Sequence, residues 1–98
     1  MGEIINNSES SSFCISFSMK KYSKDTTRVY IDGIEKGNIP MMTEVTEGTH
    51  RIKVALLINF MWKEKSFDLD VHQNTLVVVD YNRFFGTYSV MVDGEKKA

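Results

Sequence analysis

The chain has 98 residues, 12 basic and 13 acidic, for a formal charge of −1 with 42% hydrophobic residues. That length suits one domain, and the near-neutral balance excludes a strongly basic nucleic-acid binder and an acidic disordered tail. One cysteine excludes an internal disulfide framework and a thiolate zinc site.

Within the apolar set the choice of residue is informative. There are 9 Val, 8 Ile and 7 Thr against 2 Ala and 4 Leu. Branching at Cβ restricts χ1 and suits the pleated surface of a strand, so composition already leans toward β.

Residues 1–5 show neither a basic region nor an apolar stretch of signal-peptide length. A myristoylation motif would need Ser or Thr where Asn6 stands. The longest apolar run covers residues 54–58, far short of the roughly 20 residues of a spanning helix. The cytoplasm is the default compartment, and the cell surface is the alternative if the chain is a piece of a longer protein.

Residues 6–12 are polar and Ser-rich, and the reading is a flexible leader over 1–12. Alternation then begins: Phe13, Ile15, Phe17 and Met19 fall in one phase, Cys14, Ser16, Ser18 and Lys20 in the other. A period of two marks a half-buried strand. After a turn at residues 24–27, Val29 and Ile31 point inward, and Asp32-Gly33 signals a hairpin because both types tolerate positive φ. Residues 34–39 return as a short strand ending near Pro40, which has no N–H to give a ladder. A short strand over 43–46 and a turn at Glu47-Gly48 come next.

The strongest strand is residues 50–58, with His50, Ile52, Val54, Leu56 and Ile58 in one phase. Phe67, Leu69 and Val71 alternate with Ser66, Asp68 and Asp70, and residues 72–74 form a turn. Residues 76–79 are continuously apolar and predict a strand covered on both faces. Tyr88, Val90 and Val92 alternate up to Asp93-Gly94, and residues 95–98 are expected as a disordered tail. The whole predicts an all-β fold: a small antiparallel β-sandwich of about seven or eight short strands over 13–94, with little or no helix.

Val29-Tyr30-Ile31-Asp32-Gly33, then Gly37-Asn38-Ile39-Pro40, then Glu47-Gly48-Thr49-His50-Arg51-Ile52-Lys53-Val54 give a hairpin, a return strand, a Gly turn and a core strand in order. In this, residues 26–80 resemble the PEGA domain, a small bacterial β-sandwich module. Where that family carries a Gly-Tyr pair after the core strand, this chain has Asn59-Phe60. The resemblance implies an accessory or binding module and transfers no catalytic residues. Val90-Met91-Val92-Asp93-Gly94-Glu95-Lys96 echoes residues 29–36, either as the truncated start of a further repeat or by chance.

Few residues suggest chemistry. No phosphate-binding glycine loop, nucleophile elbow or metal-binding motif occurs, and no cofactor is expected. His50 and His72 bracket different strands without ligand spacing. Asp68 and Asp70 share a strand face about 7 Å apart, with Lys63 and Lys65 as expected charge neighbours. Cys14 has no basic partner nearby in the sequence. Phe60-Met61-Trp62 stands where a polar turn belongs: either it forms a binding surface, or Trp62 folds back to close the core. Phe84 and Phe85, beside Arg83, belong to the same candidate surface, and Met41-Met42 is placed near it.

The reading favoured is a non-enzymatic module that binds a protein partner or associates with itself. The alternative is a small-ligand or carbohydrate binder that stacks on Trp62 and Tyr30. A hydrolase using Asp68, Asp70 and His72 is the least supported.

Overall fold

Alternation of branched and polar residues produces strands throughout. In the computed structural model, which describes residues 11–21 and 26–98, the described residues form nine strands and no helix. These are β1 (Ser12–Met19), β2 (Thr27–Ile31), β3 (Ile34–Gly37), β4 (Met41–Thr46), β5 (Gly48–Ile58), β6 (Met61–Val71), β7 (Thr75–Asn82), β8 (Thr87–Val92) and β9 (Glu95–Lys96). They make two sheets, ordered β4-β1-β7-β8-β9 and β3-β2-β5-β6. The leader expected over 1–12 lies outside the described residues up to position 10.

The core is the inward phase of both sheets. Ile15, Phe17, Val77, Val79 and Val90 from the five-stranded sheet meet Val29, Ile52, Val54, Leu56 and Val71 from the four-stranded one. At roughly 1.5–3 kcal/mol for each large apolar side chain fully buried, this interlayer supplies the main favourable term of folding. Tyr88 ties the layers together: its hydroxyl lies 2.8 Å from the Val54 carbonyl and 2.7 Å from that of Lys63, and its one proton serves either. Burial pushes the Tyr88 phenol well above the usual tyrosine range.

Four expectations need correction. The sandwich is antiparallel except for β1 and β7, which run parallel with Ile15 opposite Thr75 and Met19 opposite Val79. Chain order hides this, because β1 and β7 lie far apart in sequence. Residues 95–98 do not form a loose tail: β9 pairs with β8, and the Ala98 carbonyl accepts the Val90 N–H at 2.9 Å. Residues 76–79 are fully covered on one face only, since Val77 and Val79 are buried while Leu76 is exposed and Val78 half-buried. Finally, β6 starts at Met61, several residues before its alternation becomes legible.

The echo between residues 29–36 and 90–96 is a structural likeness of two turns. Asp32-Gly33 and Asp93-Gly94 both turn a two-residue hairpin with positive φ at each position, the pattern of a type I′ turn. Each Asp also extends the next ladder. The Asp32 carboxylate accepts the Arg51 N–H and its own N–H donates to the Arg51 carbonyl; Asp93 does the same with Leu76.

Strand directions sort the connections into two ends. The turns at 32–33, 72–74 and 93–94 lie at one end. The connections at 38–40, 59–60 and 83–86 lie at the other, the tip. The crossing at 38–40 is held by Thr27, whose hydroxyl accepts the Ile39 N–H at 2.7 Å and whose carbonyl accepts the Asn38 amide.

Candidate functional site

Most of the large apolar side chains that leave the core do so at the tip, while Ile34 and Leu76 are exposed at the opposite end. Phe60 is 97% exposed, Phe84 83%, Phe85 78% and Met61 64%. Large apolar groups are ordinarily placed singly on a monomer surface, so four clustered at two adjacent turns make the tip the candidate site.

The two turns are built differently and locked side by side. Ile58 pairs with Met61, leaving Asn59 and Phe60 as a two-residue turn with φ of 53° and 66°. This is the same positive-φ pattern as the two Asp-Gly turns, with Phe where they have Gly. A bulky residue in the left-handed region costs on the order of 1–2 kcal/mol. The exposed ring returns little of that by burial. In the neighbouring turn, the Asn82 side-chain oxygen accepts the Phe84 and Phe85 N–H groups at 3.0 and 3.2 Å. The Gly86 N–H donates to the Asn82 carbonyl at 2.9 Å. Gly86 has φ of 64°, and a Cβ there would lie 3.2 Å from Ile58, so the turns touch. Lys63 completes the joint, its Nζ donating to the Gly86 carbonyl at 3.1 Å.

Trp62 does not close the core; it pairs with Leu57 on the outer face of the four-stranded sheet and is 36% exposed. The Arg28 guanidinium covers its ring at 4.2 Å from the centroid. Tyr30, on the same face, carries Lys53 at 4.4 Å. Met41 and Met42 begin β4 at the tip end, Met41 packed against the core and Met42 exposed.

The other candidates fall at the opposite end or along its flank. Lys63 and Lys65 are not the neighbours of Asp68 and Asp70, because they occupy the inward phase of β6. Asp68 pairs with Arg51 at 3.1 Å and Asp70 with His72 at 3.0 Å. His72 is exposed, its other nitrogen 3.2 Å from Glu47, and the two carboxylates hold its pKa above the usual histidine value. Its two nitrogens face different acids, so the three groups do not converge on one point, and among the described residues no set of three donors is placed to hold a metal ion. His50 donates from Nδ1 to Asp32 at 2.6 Å and from Nε2 to the Thr46 carbonyl at 2.7 Å. Both partners are acceptors, so the protonated ring satisfies both contacts, and the Asp32 hydrogen bond raises its pKa. Cys14 is half-buried on β1, its N–H donating to Asn74.

Two of the clefts on the described surface bear on these candidates. One, of about 570 Å³, is bordered by Lys21, Lys65, Tyr81, Arg83, Phe84 and Lys96 among others. The second, about 480 Å³, lies by Asp68, Asp70, His72, Asp93 and Glu95. Neither is lined by Phe60, Met61, Trp62 or Phe85.

Sequence reasoning found the tip aromatics because they interrupt a polar turn. It missed the strained backbone at Phe60 and the Lys63 bridge, whose only sequence signal is a lysine on the inward phase of a strand. No family model matches the chain, and no curated protein or solved structure does either.

Proposed function

We propose that the protein is a non-enzymatic interaction module whose binding end is the tip formed by Phe60, Met61, Phe84 and Phe85. The observation that carries this is Phe60. Its backbone is strained where both sister turns hold glycine, and its side chain is almost wholly in solvent. A residue that costs the fold and gains nothing from it is explained by a contact outside the fold. Hydrogen bonds through Asn82 and Lys63 tie the turns together, which limits the ordering entropy lost when they engage a partner. The resemblance of residues 26–80 to a family of accessory and binding modules supports the same reading.

The carbohydrate alternative has less support. A stacking platform needs a free ring face beside a concavity, whereas Arg28 and Lys53 already cover Trp62 and Tyr30. The hydrolase reading lacks a sheltered site, since Asp68, Asp70 and His72 are all exposed.

Photo-crosslinking tests the assignment. Benzoylphenylalanine at Phe60 or Phe84 should give discrete adducts, protein or lipid, in cells that carry the chain natively. The same group at Ser66 or Ser89 should give none. Equal labelling at all four positions, or none at the tip, would remove the tip as the binding end.

A further inference from the structure

We infer that the tip docks on an anionic lipid surface, inserting Phe60, Met61, Phe84 and Phe85 among the acyl chains beneath a layer of phosphates. This rests on the tip being the binding end and names what it binds.

The argument begins with shape. The four side chains stand on hairpin turns that project from the sandwich, and none of the other three joins Phe84 at the border of its cleft. A small molecule needs a concavity to bury most of its surface. A protein hot spot is an anchor seated in a matching pocket, ringed by contacts that exclude water. Outward-pointing apolar groups with no surrounding rim instead suit a deformable apolar phase, where amphipathic surfaces sink about 5–10 Å into the headgroup boundary.

The second argument is charge. Behind the apolar groups, the tip end carries Lys20, Lys21, Arg28, Lys63, Lys65 and Arg83. Against these six cations, the described residues of that end include two acids, Glu64 and Asp80. Those two are paired, with Lys53 at 3.7 Å and Lys20 at 3.9 Å. The opposite end gathers Asp32, Glu47, Asp68, Asp70, Asp93 and Glu95, offset in part by Arg51 and Lys97. A chain of net charge −1 is therefore polarised, with its positive end the one that bears the aromatics. That field orients the tip toward an anionic surface, where each Lys or Arg near the lipid headgroups adds about fivefold to the affinity.

The third argument is order along the chain. Met61 precedes Lys63 by two residues, and Phe84 follows Arg83 directly, with the Arg83 guanidinium 5.8 Å from the Phe84 ring. Apolar groups outermost and cations one step behind match the layering of an anionic membrane, hydrocarbon beneath phosphate.

Trp62 is the one tryptophan in the chain and lies beside the tip, so it reports directly. The intact protein is mixed with vesicles of phosphatidylcholine alone, and with vesicles of phosphatidylcholine and phosphatidylserine at three to one. The proposal expects a blue shift of Trp62 emission and co-sedimentation with the second kind at low salt, and weak or no binding to the first. The double variant F84S/F85S should bind at least tenfold more weakly, with F60G behaving alike if either variant folds poorly. The double variant K21E/R83E should abolish the preference for phosphatidylserine. Absence of binding to both vesicle types overturns the proposal, as does equal binding to both or binding unaffected by the tip variants. Tip crosslinks to protein alone, with no vesicle binding, overturn the lipid assignment and leave the interaction module standing. Absence of tip crosslinks removes the module reading as well.

Discussion

Phe60 is where local chemistry and global fold disagree most clearly. The described residues make three two-residue turns with positive φ at both positions, and two of them use Asp-Gly. The third uses Asn-Phe, which supplies a suitable first residue and an unsuitable second. Relief of left-handed strain, about 1–2 kcal/mol, is partly offset by the roughly 0.5–1 kcal/mol of extra backbone entropy that Gly loses on folding. F60G should therefore raise the stability of the sandwich by up to about 1 kcal/mol, read as a higher denaturant midpoint at an unchanged m-value. A lower midpoint would show that the exposed ring stabilises the native state, and Phe60 would lose its standing as a functional residue. The sequence made the aromatic at position 60 visible as an oddity. It could not show that the backbone there is strained, because the type of turn depends on the pairing of Ile58 with Met61.

Edge strands raise a different problem: their unpaired N–H and C=O groups invite pairing with another chain. β6 is the edge of its sheet and is 11 residues long. Its inward phase runs Lys63, Lys65, Phe67, Leu69 and Val71, so apolar and charged residues divide one face of one strand. Lys65 reaches over the Tyr88 ring at 5.6 Å, and Lys63 bridges to Gly86. Inward-pointing charges near an edge disfavour docking of a second strand, because pairing there would bury a cation. Replacing Lys65 by Val would make the inward phase apolar from residue 65 to Val71. K65V should aggregate several-fold faster than the parent in light scattering while keeping its fold, whereas S66V, on the outer phase of the same strand, should not. Matching aggregation in both variants would point to β propensity in general and away from the inward charge. The same feature explains why the start of β6 was illegible: a strand whose inward residues are lysines shows no hydrophobic alternation. β5, inward Ile52 to Ile58, was legible because the core covers that whole phase.

At the scale of the whole molecule the two ends differ in chemistry, and the acidic end makes stability depend on pH. His50 is nearly buried there, its Nδ1 on Asp32 and its Nε2 on the Thr46 carbonyl, and its pKa is raised above the ordinary 6.5 chiefly by the Asp32 hydrogen bond. Stability from a raised base is complete below the unfolded pKa and is lost as pH climbs through the folded one. Asp32 runs the other way. The Arg51 N–H and then His50 hold its pKa below 3.8, so its contribution is present above that value and lost as pH falls through the lowered one. Together they set a stability plateau between about pH 4 and pH 6.5, the unfolded values of the two groups. The pairing was not legible beforehand: His50 stood in phase with the core residues of β5, while Asp32 was recognisable only as a turn residue. The denaturant midpoint should fall as pH is raised from 6 toward 9, and H50Q should flatten that fall. H72Q should leave it nearly intact, because an exposed imidazole between two solvated carboxylates contributes little net energy. A midpoint that falls equally steeply in H50Q would move the titrating group away from the Asp32 pair. A flat profile in the parent would show that the imidazolium is held no more firmly in the folded chain than in the unfolded one.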